Sequence, residues 1–302
     1  MTDKKNHEVI IIGGSYAGLS AGMTLGRSLR KVLIIDSGQP CNRQTLHAHS
    51  FITQDGETPA AILVKAKAQV LQYPTVQFIN KKAVRARKQN DGFVIETESG
   101  EKFEARKLLI TTGIKDLMPD IPGFAQCWGI SVLHCPYCHG YEVKGEKTGI
   151  AGNGDTGYDL VKLLYNWSKN LTLFTNGDAT LTTKQWQKLQ QYNIPIVEST
   201  IQEITHDKGY IKQLNLTDGS HYTVNALFTR VAFEQHSNIA QQLGCEYTQA
   251  GYILADEFGT TSVAGVFAAG DNTTPMRAVS VASAAGHKAA AWVNKELIEE
   301  SF

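Results

Sequence analysis

Short apolar runs alternate along this chain with longer stretches in which apolar residues recur every three or four positions. The first run, residues 9–12, is continuous and β-branched, which is typical of a strand buried on both faces. A helical pattern follows it, with an apolar face formed by Ala17, Ala21, Leu25 and Leu29. The next run, residues 32–35, ends in Asp36. This order predicts a strand–helix–strand unit of a parallel sheet.

A glycine-rich turn, residues 13–18, joins the first strand to the helix. The free N–H groups and the positive dipole at a helix N-terminus favour a pyrophosphate, and Asp36, at the end of the second strand, lies where a carboxylate can hold a ribose hydroxyl. Ser15 replaces the usual middle glycine, which crowds the approach of the backbone to a phosphate. A tight turn without a ligand is the alternative. The predicted dinucleotide contacts are Gly13, Ser15, Tyr16, Ala17, Gly18 and Asp36.

The same pattern occurs a second time. Residues 148–151 form a short apolar run, residues 152–157 match G-x-G-x-x-G, and residues 171–175 form the next predicted strand. The helix between them has an apolar face of Leu160, Leu163, Leu164 and Trp167. A second nucleotide site at this turn would use Gly152, Gly154, Asp155 and Gly157.

The second copy lacks the residue that fixes the ribose of a nucleotide. When the two copies are aligned, Thr175 takes the place of Asp36, and the nearest basic residue downstream is Lys184. An NAD site needs an acid here and an NADP site needs arginines, whose charge-assisted hydrogen bonds contribute about 1.5–3 kcal/mol each. We therefore expect no strong preference for NADPH, although Asp178 is a further candidate for an NADH ribose. Weak nicotinamide nucleotide binding and a domain retained for its fold both remain open.

Composition narrows the function classes. The chain has 302 residues, enough for roughly two domains of ~150 residues. Lys plus Arg equals Asp plus Glu at 29 each, so we expect no attraction to nucleic acid or anionic lipid. No segment approaches the ~18 apolar residues of a membrane span, and residues 1–8 are polar, so we expect a cytoplasmic protein. Five cysteines argue against a secreted disulfide framework.

One cysteine pair, Cys135-Pro-Tyr-Cys138, lies between the two nucleotide motifs. Two thiols at this spacing suit disulfide exchange, in which one attacks and the other resolves the mixed disulfide. The attacker must be a thiolate, and a free thiol of pKa ~8.5 is only about 3% ionised at pH 7. The flanking His134 and His139 are candidates to supply positive charge or to exchange a proton.

Three other interpretations of the pair were weighed. Cys-x-x-Cys-His is also the c-type haem attachment signature, but the expected context of export is missing. Structural zinc would need a second pair, and no metal site is predicted. Two inert core cysteines are the third interpretation. The remaining cysteines have no partner in sequence and are read as structural: Cys41, Cys127 and Cys245.

The C-terminal part of the chain carries a further nucleotide motif. Residues 261–271 predict a strand running into Gly-Asp, and a helix rich in small residues follows at about 279–293. This resembles the C-terminal FAD motif of the two-dinucleotide-binding flavoproteins, and residues 108–113 resemble their strand and Thr-Gly turn between the nucleotide domains. Residues 94–96 and 103–104 predict small antiparallel strands. The additional cofactor candidates are Thr112, Gly113, Gly270 and Asp271.

Taken in order, these motifs resemble the low-molecular-weight thioredoxin reductases over nearly the whole chain. The resemblance implies an α/β fold of two Rossmann-like domains and a homodimer. The FAD domain would be discontinuous, residues 1–115 and 233–302, and residues 116–232 would form an NAD(P)-binding-like domain with the redox pair. The resemblance also implies that Cys138 faces the flavin C4a while Cys135 meets the substrate.

One departure points to another branch. His139 stands where the reductases carry a proton-donating aspartate, and residues 135–142 are more similar to the flavin-dependent dithiol oxidases of gliotoxin- and holomycin-type products. Arg277 aligns with the arginine of the reductases' Arg-Gln-Ala run, and Ala278 replaces the glutamine. Other residues that resemble the oxidase branch are Asn42, Arg43, His49, Asp55 and Gly56.

The sequence therefore predicts an FAD-dependent thiol–disulfide oxidoreductase with the catalytic residues Cys135, Cys138 and His139. The first hypothesis is a thioredoxin-reductase-like enzyme that acts on a thioredoxin-like protein or a small dithiol or disulfide. The second is an oxygen-dependent dithiol oxidase that forms hydrogen peroxide without NADPH. The third, from another class, is a binding module that has lost catalysis, and the intact cysteine pair weighs against it.

Overall fold

A computed structural model describes residues 6–302. In chain order the elements are β1 (Asn6–Ile12), α1 (Tyr16–Arg27), β2 (Val32–Asp36), α2 (Pro59–Val70), β3 (Val76–Asn80), β4 (Ala83–Gln89), β5 (Gly92–Thr97), β6 (Lys102–Ile110), β7 (Ile114–Asp116), α3 (Phe124–Cys127), β8 (Val132–Leu133), α4 (Pro136–His139), β9 (Thr148–Ala151), α5 (Gly154–Leu164), β10 (Leu171–Phe174), α6 (Thr183–Gln191), β11 (Ile196–Val197), β12 (Ile201–Asp207), β13 (Tyr210–Leu216), β14 (His221–Tyr222), β15 (Ala226–Thr229), β16 (Phe233–Gln235), α7 (Ile239–Gln242), β17 (Val266–Ala268) and α8 (Val279–Glu299).

The chain divides into two compact units. The first unit comprises residues 6–43, Ser50–Lys115 and Phe233–Phe302, and the second comprises Gln44–His49 and Asp116–Ala232. Each unit has its own sheet and its own buried apolar clusters. Among the described residues, no helix combines the length and the hydropathy that crossing a membrane requires.

The sheet of the first unit has the order β3-β2-β1-β6-β5-β4, and β17 also pairs with β6. β1 pairs in parallel with β2 and with β6, whereas β5 pairs antiparallel with β6 and with β4. The antiparallel strands predicted at residues 94–96 and 103–104 are thus confirmed, although the second is the beginning of β6. The mixed sheet ends at one edge in an antiparallel hairpin.

Strand β1 shows why its sequence is apolar without alternation. Ile10 and Ile12 belong to the core cluster on one face of the sheet, and Val9 and Ile11 belong to the cluster on the other face. Since both faces are covered, residues 9–12 are all buried. The predicted pattern of a doubly covered strand is confirmed.

Helix α1 is shorter than its apolar pattern predicted. Ala17, Ala21 and Leu25 are buried, but the helix ends at Arg27, and Leu29 is 80% exposed with a φ of 61°. The inclusion of Leu29 in the apolar face was therefore wrong. The N–H of Arg30 donates to the carbonyl of Leu25, so the chain turns through a left-handed residue at Leu29 to enter β2.

Helices α1 and α8 approach each other closely in the first unit. A Cβ at Gly286 of α8 would lie against the carbonyl oxygen of Ala17 in α1. Small residues therefore set the distance between these two helices, which accounts for the small-residue pattern of α8. This helix runs to Glu299, beyond the predicted end near residue 293.

The second unit contains a parallel sheet with the order β11-β10-β9-β15-β8 and a separate antiparallel sheet, β12-β13-β14. The predicted strand at 148–151 is β9, and the next predicted strand is β10, which ends at Phe174. The helix between them, α5, ends at Leu164, so Trp167 lies in the loop that follows it. The second strand–helix–strand copy is therefore confirmed.

We predict that Gly286→Val lowers the free energy of unfolding by about 2 kcal/mol or more, because the new side chain must push α8 away from the backbone of Ala17. Urea unfolding followed by circular dichroism measures the change. Ala284→Val, at an exposed position of α8, is the matched control and should lose less than about 1 kcal/mol, the cost of a β-branched residue in a helix. Equal losses in the two variants would contradict the packing argument.

Candidate active site

The cysteine pair forms a disulfide at the start of the one-turn helix α4. Cys135 is the residue before the helix, and Pro136 takes the first helical position, where no N–H is needed. The N–H of Cys138 donates to the Sγ of Cys135 at 3.2 Å. After reduction, the same N–H would stabilise a thiolate on Cys135, because hydrogen bonds to an ionised acceptor favour the charged form.

A group of titratable side chains lies beside the pair in the second unit. The Nε2 of His49 lies 3.4 Å from the Oε1 of Glu142, and the ring of His49 meets the ring of His139 edge-on at 6.5 Å between centroids. His47, which is exposed, lies 6.4 Å from His49 by the same measure. The structure therefore brings His49, predicted as a cofactor residue, together with His139 and Glu142.

Burial lowers the pKa of His139 to about 4, the nearby Glu142 carboxylate raises it in part, and His49 lowers it. At neutral pH the imidazole is therefore uncharged. Of the two roles predicted for this residue, positive charge is disfavoured and proton exchange remains. A neutral imidazole can accept a proton from a thiol during disulfide exchange. The other flanking histidine, His134, stacks on Trp128 at 5.8 Å.

The carboxylate of Asp36 accepts hydrogen bonds from the first glycine turn and from the loop after β2. The N–H of Gly14 donates to Oδ1 of Asp36 at 2.8 Å, and the N–H of Gly38 donates to Oδ2 at 2.9 Å. Gly18 packs against the carbonyl of Gly13, where a Cβ would collide. Ser15 has an extended backbone with a φ of −94°, so the serine fits this position without strain.

Two helices of the first unit, α1 and α8, begin without a capping side chain, whereas the Thr58 side chain caps α2. Ser15 precedes α1 and Ala278 precedes α8, and neither side chain accepts a hydrogen bond from the first turn. The leading N–H groups of a helix need acceptors, and an anionic or polar ligand is one way to supply them. These two helix starts fit a bound dinucleotide.

Several buried polar atoms in the first unit have no hydrogen-bond partner among the described residues, and three of these belong to, or directly follow, predicted cofactor residues. They are Oδ1 of Asn42, Oγ1 of Thr112 and Oδ1 of Asn272. Buried polar atoms are almost always paired in native proteins, so these three are candidates to bind a polar ligand. Asn42 and Thr112 were predicted as cofactor residues, whereas Asn272 was missed.

Asn272 is fully buried, and its Nδ2 donates to the carbonyl of Ile110 at the end of β6. It follows Asp271, whose Oδ2 lies 3.8 Å from Nε of Arg277 and accepts from Sγ of Cys41 at 3.7 Å. Gly270 has a φ of 95°, which only glycine adopts readily. The motif Gly-Asp should have drawn attention to the asparagine after it.

Tyr16 and Asn42 are joined by a hydrogen bond of 3.1 Å from the amide to the phenol, and burial raises the pKa of Tyr16. Arg43 is exposed, and its guanidinium donates to the carbonyl of Pro40 at 3.4 Å. Gly113 has a φ of 65°, and its carbonyl accepts from the N–H of His236. The predicted cofactor candidates, except His49, thus all lie in the first unit.

The second glycine turn is closed by its own loop. Oδ1 of Asn153 accepts from the N–H of Gly154 at 2.8 Å, and from the N–H and the hydroxyl of Thr180 at 2.8 and 3.1 Å. Its Nδ2 donates to the carbonyl of Asp178 at 2.8 Å. A Cβ at Gly154 would lie 2.8 Å from Oγ1 of Thr180, so the loop stands where a dinucleotide phosphate would approach.

The side chain at the predicted ribose position of the second copy, Thr175, is also hydrogen-bonded within the protein. Thr175 is buried, and its hydroxyl donates to the carbonyl of Gly177 at 2.7 Å. The carboxylate of Asp155 accepts from the amide of Gln185 at 2.7 Å. Gly157 packs on the carbonyl of Gly152 as Gly18 does on the carbonyl of Gly13, so the two turns have the same geometry. In the second turn, the side chains of Asn153, Asp155 and Thr175 bond to other groups of the protein.

A model of the pyridine nucleotide-disulphide oxidoreductase family matches residues 7–286. The thioredoxin reductase sirT of Leptosphaeria maculans is 32% identical and is similar over 95% of this chain and 93% of its own length. The thioredoxin reductase tcpT of Claviceps purpurea is 30% identical, over 97% of this chain and 95% of its own length.

Among solved structures, that of HlmI is similar with a TM-score of 0.93 and 31% identity, covering 100% of this chain and 95% of that protein. These matches confirm the α/β fold of two Rossmann-like domains and the resemblance to the thioredoxin reductases. These matches concern the whole chain and assign no role to a single candidate residue.

We predict that the buried His139 makes stability depend on pH in a defined window. Because its pKa falls from 6.5 when unfolded to about 4 when folded, the unfolded chain binds a proton that the folded chain does not. Stability should therefore rise with pH between about 4 and 6.5 and then level off. His139→Gln should flatten this rise in urea unfolding series.

His221→Gln, which changes an exposed histidine of the second unit, is the control and should keep the wild-type slope. If His139→Gln retains the full slope between pH 4 and 6.5, the lowered pKa of His139 is wrong.

Proposed function

Because the chain belongs to the pyridine nucleotide-disulphide oxidoreductase family, we propose that this FAD-dependent thiol–disulfide oxidoreductase takes its electrons from a dithiol substrate rather than from NADPH. The closed second glycine turn carries the proposal. The N–H at the start of α5 that would meet a pyrophosphate already has Asn153 as its acceptor, and Thr180 covers Gly154. A nicotinamide nucleotide would have to displace these contacts, and the turn offers no acid to bind its ribose and no arginine to bind a ribose phosphate.

FAD fits the first unit. Asp36 is positioned for a ribose, the uncapped start of α1 for the pyrophosphate, and the buried oxygens of Asn42 and Thr112 for further hydrogen bonds. Asp271 and the start of α8 complete this set. When bound, FAD would supply a two-electron acceptor for the reduced Cys135–Cys138 pair, with dioxygen as the final acceptor.

The chain's own residues carry out disulfide exchange. A substrate thiolate attacks Sγ of Cys135, the Cys135–Cys138 bond breaks, and Cys138 leaves as a thiolate. The second substrate thiol then attacks the mixed disulfide, and Cys135 leaves. The substrate loses two electrons and becomes a disulfide, while the cysteine pair gains them. Neutral His139 accepts a proton from a thiol in this sequence, and the N–H of Cys138 stabilises the thiolate form of Cys135.

The second candidate function is NADPH-driven reduction of a thioredoxin-like protein. It is favoured by the names of the relatives sirT and tcpT, both called thioredoxin reductases. It uses the same cysteine pair with the opposite direction of electron flow.

A homodimer is implied by the family resemblance in both cases, and the small number of cysteines agrees with a cytoplasmic location.

Anaerobic stopped-flow mixing separates the two directions. We predict that dithiothreitol bleaches the flavin of the holoenzyme and that admitting air regenerates it with one hydrogen peroxide per dithiol. NADPH and NADH should bleach the flavin at least about 100-fold more slowly. The second glycine turn lacks the acid or arginine that would form a charge-assisted hydrogen bond with the nucleotide. Fast bleaching by NADPH would overturn the dithiol-driven direction and support the second candidate.

We predict that Cys138→Ser abolishes dithiol-driven flavin reduction, because Cys135 then has no disulfide that a substrate thiolate can attack. Turnover should fall by at least about 1,000-fold, as expected for loss of a covalent catalytic group. Cys127→Ser, at a buried cysteine of the second unit with no disulfide, is the matched control and should retain turnover in its folded fraction. Full turnover by Cys138→Ser would show that the pair is not the redox centre.

A further inference from the structure

A cavity of about 380 Å³ lies in the second unit at the carboxyl ends of three neighbouring parallel strands, β9, β10 and β15. Its lining includes Ala151 at the end of β9, Thr175 directly after β10 and Thr229 at the end of β15. Open parallel sheets bind their ligands in the crevice outside this edge. The volume also lies within the roughly 300–1,000 Å³ of small-molecule sites. The cavity is therefore a candidate ligand site.

The walls of the cavity are mostly apolar. Phe124, Ile204 and Leu227 are buried members of an apolar cluster of the second unit, and each of them also lines the cavity. Ile121 and Val231 add further apolar surface to the lining. Because removal of apolar surface from water favours binding, these walls favour a ligand with an apolar body over a strongly hydrated sugar or phosphate.

Two adjacent residues at the end of β15 supply polar groups that the protein leaves available. Thr229 is 7% exposed, and its hydroxyl makes no hydrogen bond to another described residue. Arg230 is exposed and lines the cavity, and within the described part of the chain its guanidinium forms no ion pair or hydrogen bond. A buried hydroxyl needs a partner, and a guanidinium binds a carboxylate through two parallel hydrogen bonds. The pair therefore indicates a ligand that carries a carboxylate.

The other polar side chains of the lining are already bonded within the protein. The hydroxyl of Thr175 donates to a backbone carbonyl at 2.7 Å, and Oδ1 of Asn176 accepts from the N–H of Ile201 at 2.7 Å. Among the described residues that line the cavity, Arg230 carries the one formal charge. A single positive charge beside apolar walls matches a monoanion and does not match the diphosphate and riboses of a nicotinamide nucleotide.

We propose that this cavity binds a small apolar carboxylate. Arg230 and Thr229 bind its anionic group, and Phe124, Ile204 and Leu227 contact its apolar body. The proposal goes beyond the proposed function, because none of the residues that line the cavity takes part in disulfide exchange.

Three probes, titrated into the holoenzyme, separate the two halves of the site. Naphthoate has an apolar body and a carboxylate, naphthalenemethanol has the same rings without the charge, and acetate has the charge without the rings. Calorimetry should give one naphthoate per chain with a dissociation constant on the order of 0.1 mM. In competition against naphthoate, naphthalenemethanol should bind at least about 10-fold more weakly and acetate at least about 100-fold more weakly.

Arg230→Gln should weaken naphthoate binding by about 10- to 100-fold, which is the range for loss of a charge-assisted hydrogen bond, and should change naphthalenemethanol binding less than about twofold. Thr229→Val keeps the shape of the side chain without the hydroxyl and should weaken naphthoate binding by about fivefold. Lys212→Gln, at an exposed position of β13 outside the lining, is the control and should change neither affinity.

Equal affinity of the wild type and Arg230→Gln for naphthoate would overturn the proposal, and so would the absence of naphthoate binding below about 10 mM. Naphthalenemethanol that binds as tightly as naphthoate would show that the cavity selects no anion. Displacement of naphthoate by NADPH at micromolar concentrations would make the cavity a nucleotide site and would equally overturn the proposal.

Discussion

Every backbone N–H at the start of a helix needs an acceptor, and this requirement distinguishes the two nucleotide motifs of the chain. In the first unit, α1 and α8 begin with no capping side chain, and buried oxygens nearby lack partners. In the second unit, Asn153 caps α5 from within. The same strand–turn–helix geometry therefore has an uncapped helix start in one copy and a side-chain cap from its own turn in the other.

A backbone hydrogen bond and burial also determine the electrostatics of the redox centre. Cys135 receives its stabilising hydrogen bond from a backbone N–H, so it does not need a charged histidine to favour the thiolate. Burial keeps His139 neutral and leaves it available as a proton acceptor. In the proposed function, the N–H of Cys138 would stabilise negative charge on the Cys135 sulfur after reduction, and the imidazole of His139 would accept protons.

Much of the fold could be predicted because it depends on local periodicity. The continuous apolar run of β1 and the exact bounds of β9 follow from burial on both faces of a sheet. Leu29 was misplaced because a left-handed turn ends α1 before the apolar pattern ends, and periodicity carries no information about that turn. Helix α8 continues past its small-residue segment, since Leu297, one turn after Val293, is also buried.

The candidate site was predictable only in part. The cysteines, the glycine turns and Asp36 are marked by spacing along the chain, whereas contacts between distant segments are not. The bonds from Asn153 to Asp178 and Thr180 depend on a loop that turns at Asn176, with a φ of 56°. The pairing of His49 with Glu142 joins residues far apart in sequence. Such contacts become visible only once the backbone is placed.

The closed turn also has a consequence for ligand competition. Asn153 and Thr180 behave as a tethered inhibitor of their own glycine turn, whose effective concentration is fixed by chain connectivity and typically reaches the millimolar range or above. A dinucleotide dissolved at micromolar levels competes against that fixed value, and its apparent affinity is the intrinsic affinity multiplied by the fraction of time that the loop is open. The dithiol-driven direction proposed above therefore implies a redox state that is set by the dithiol supply and not by the level of nicotinamide nucleotides.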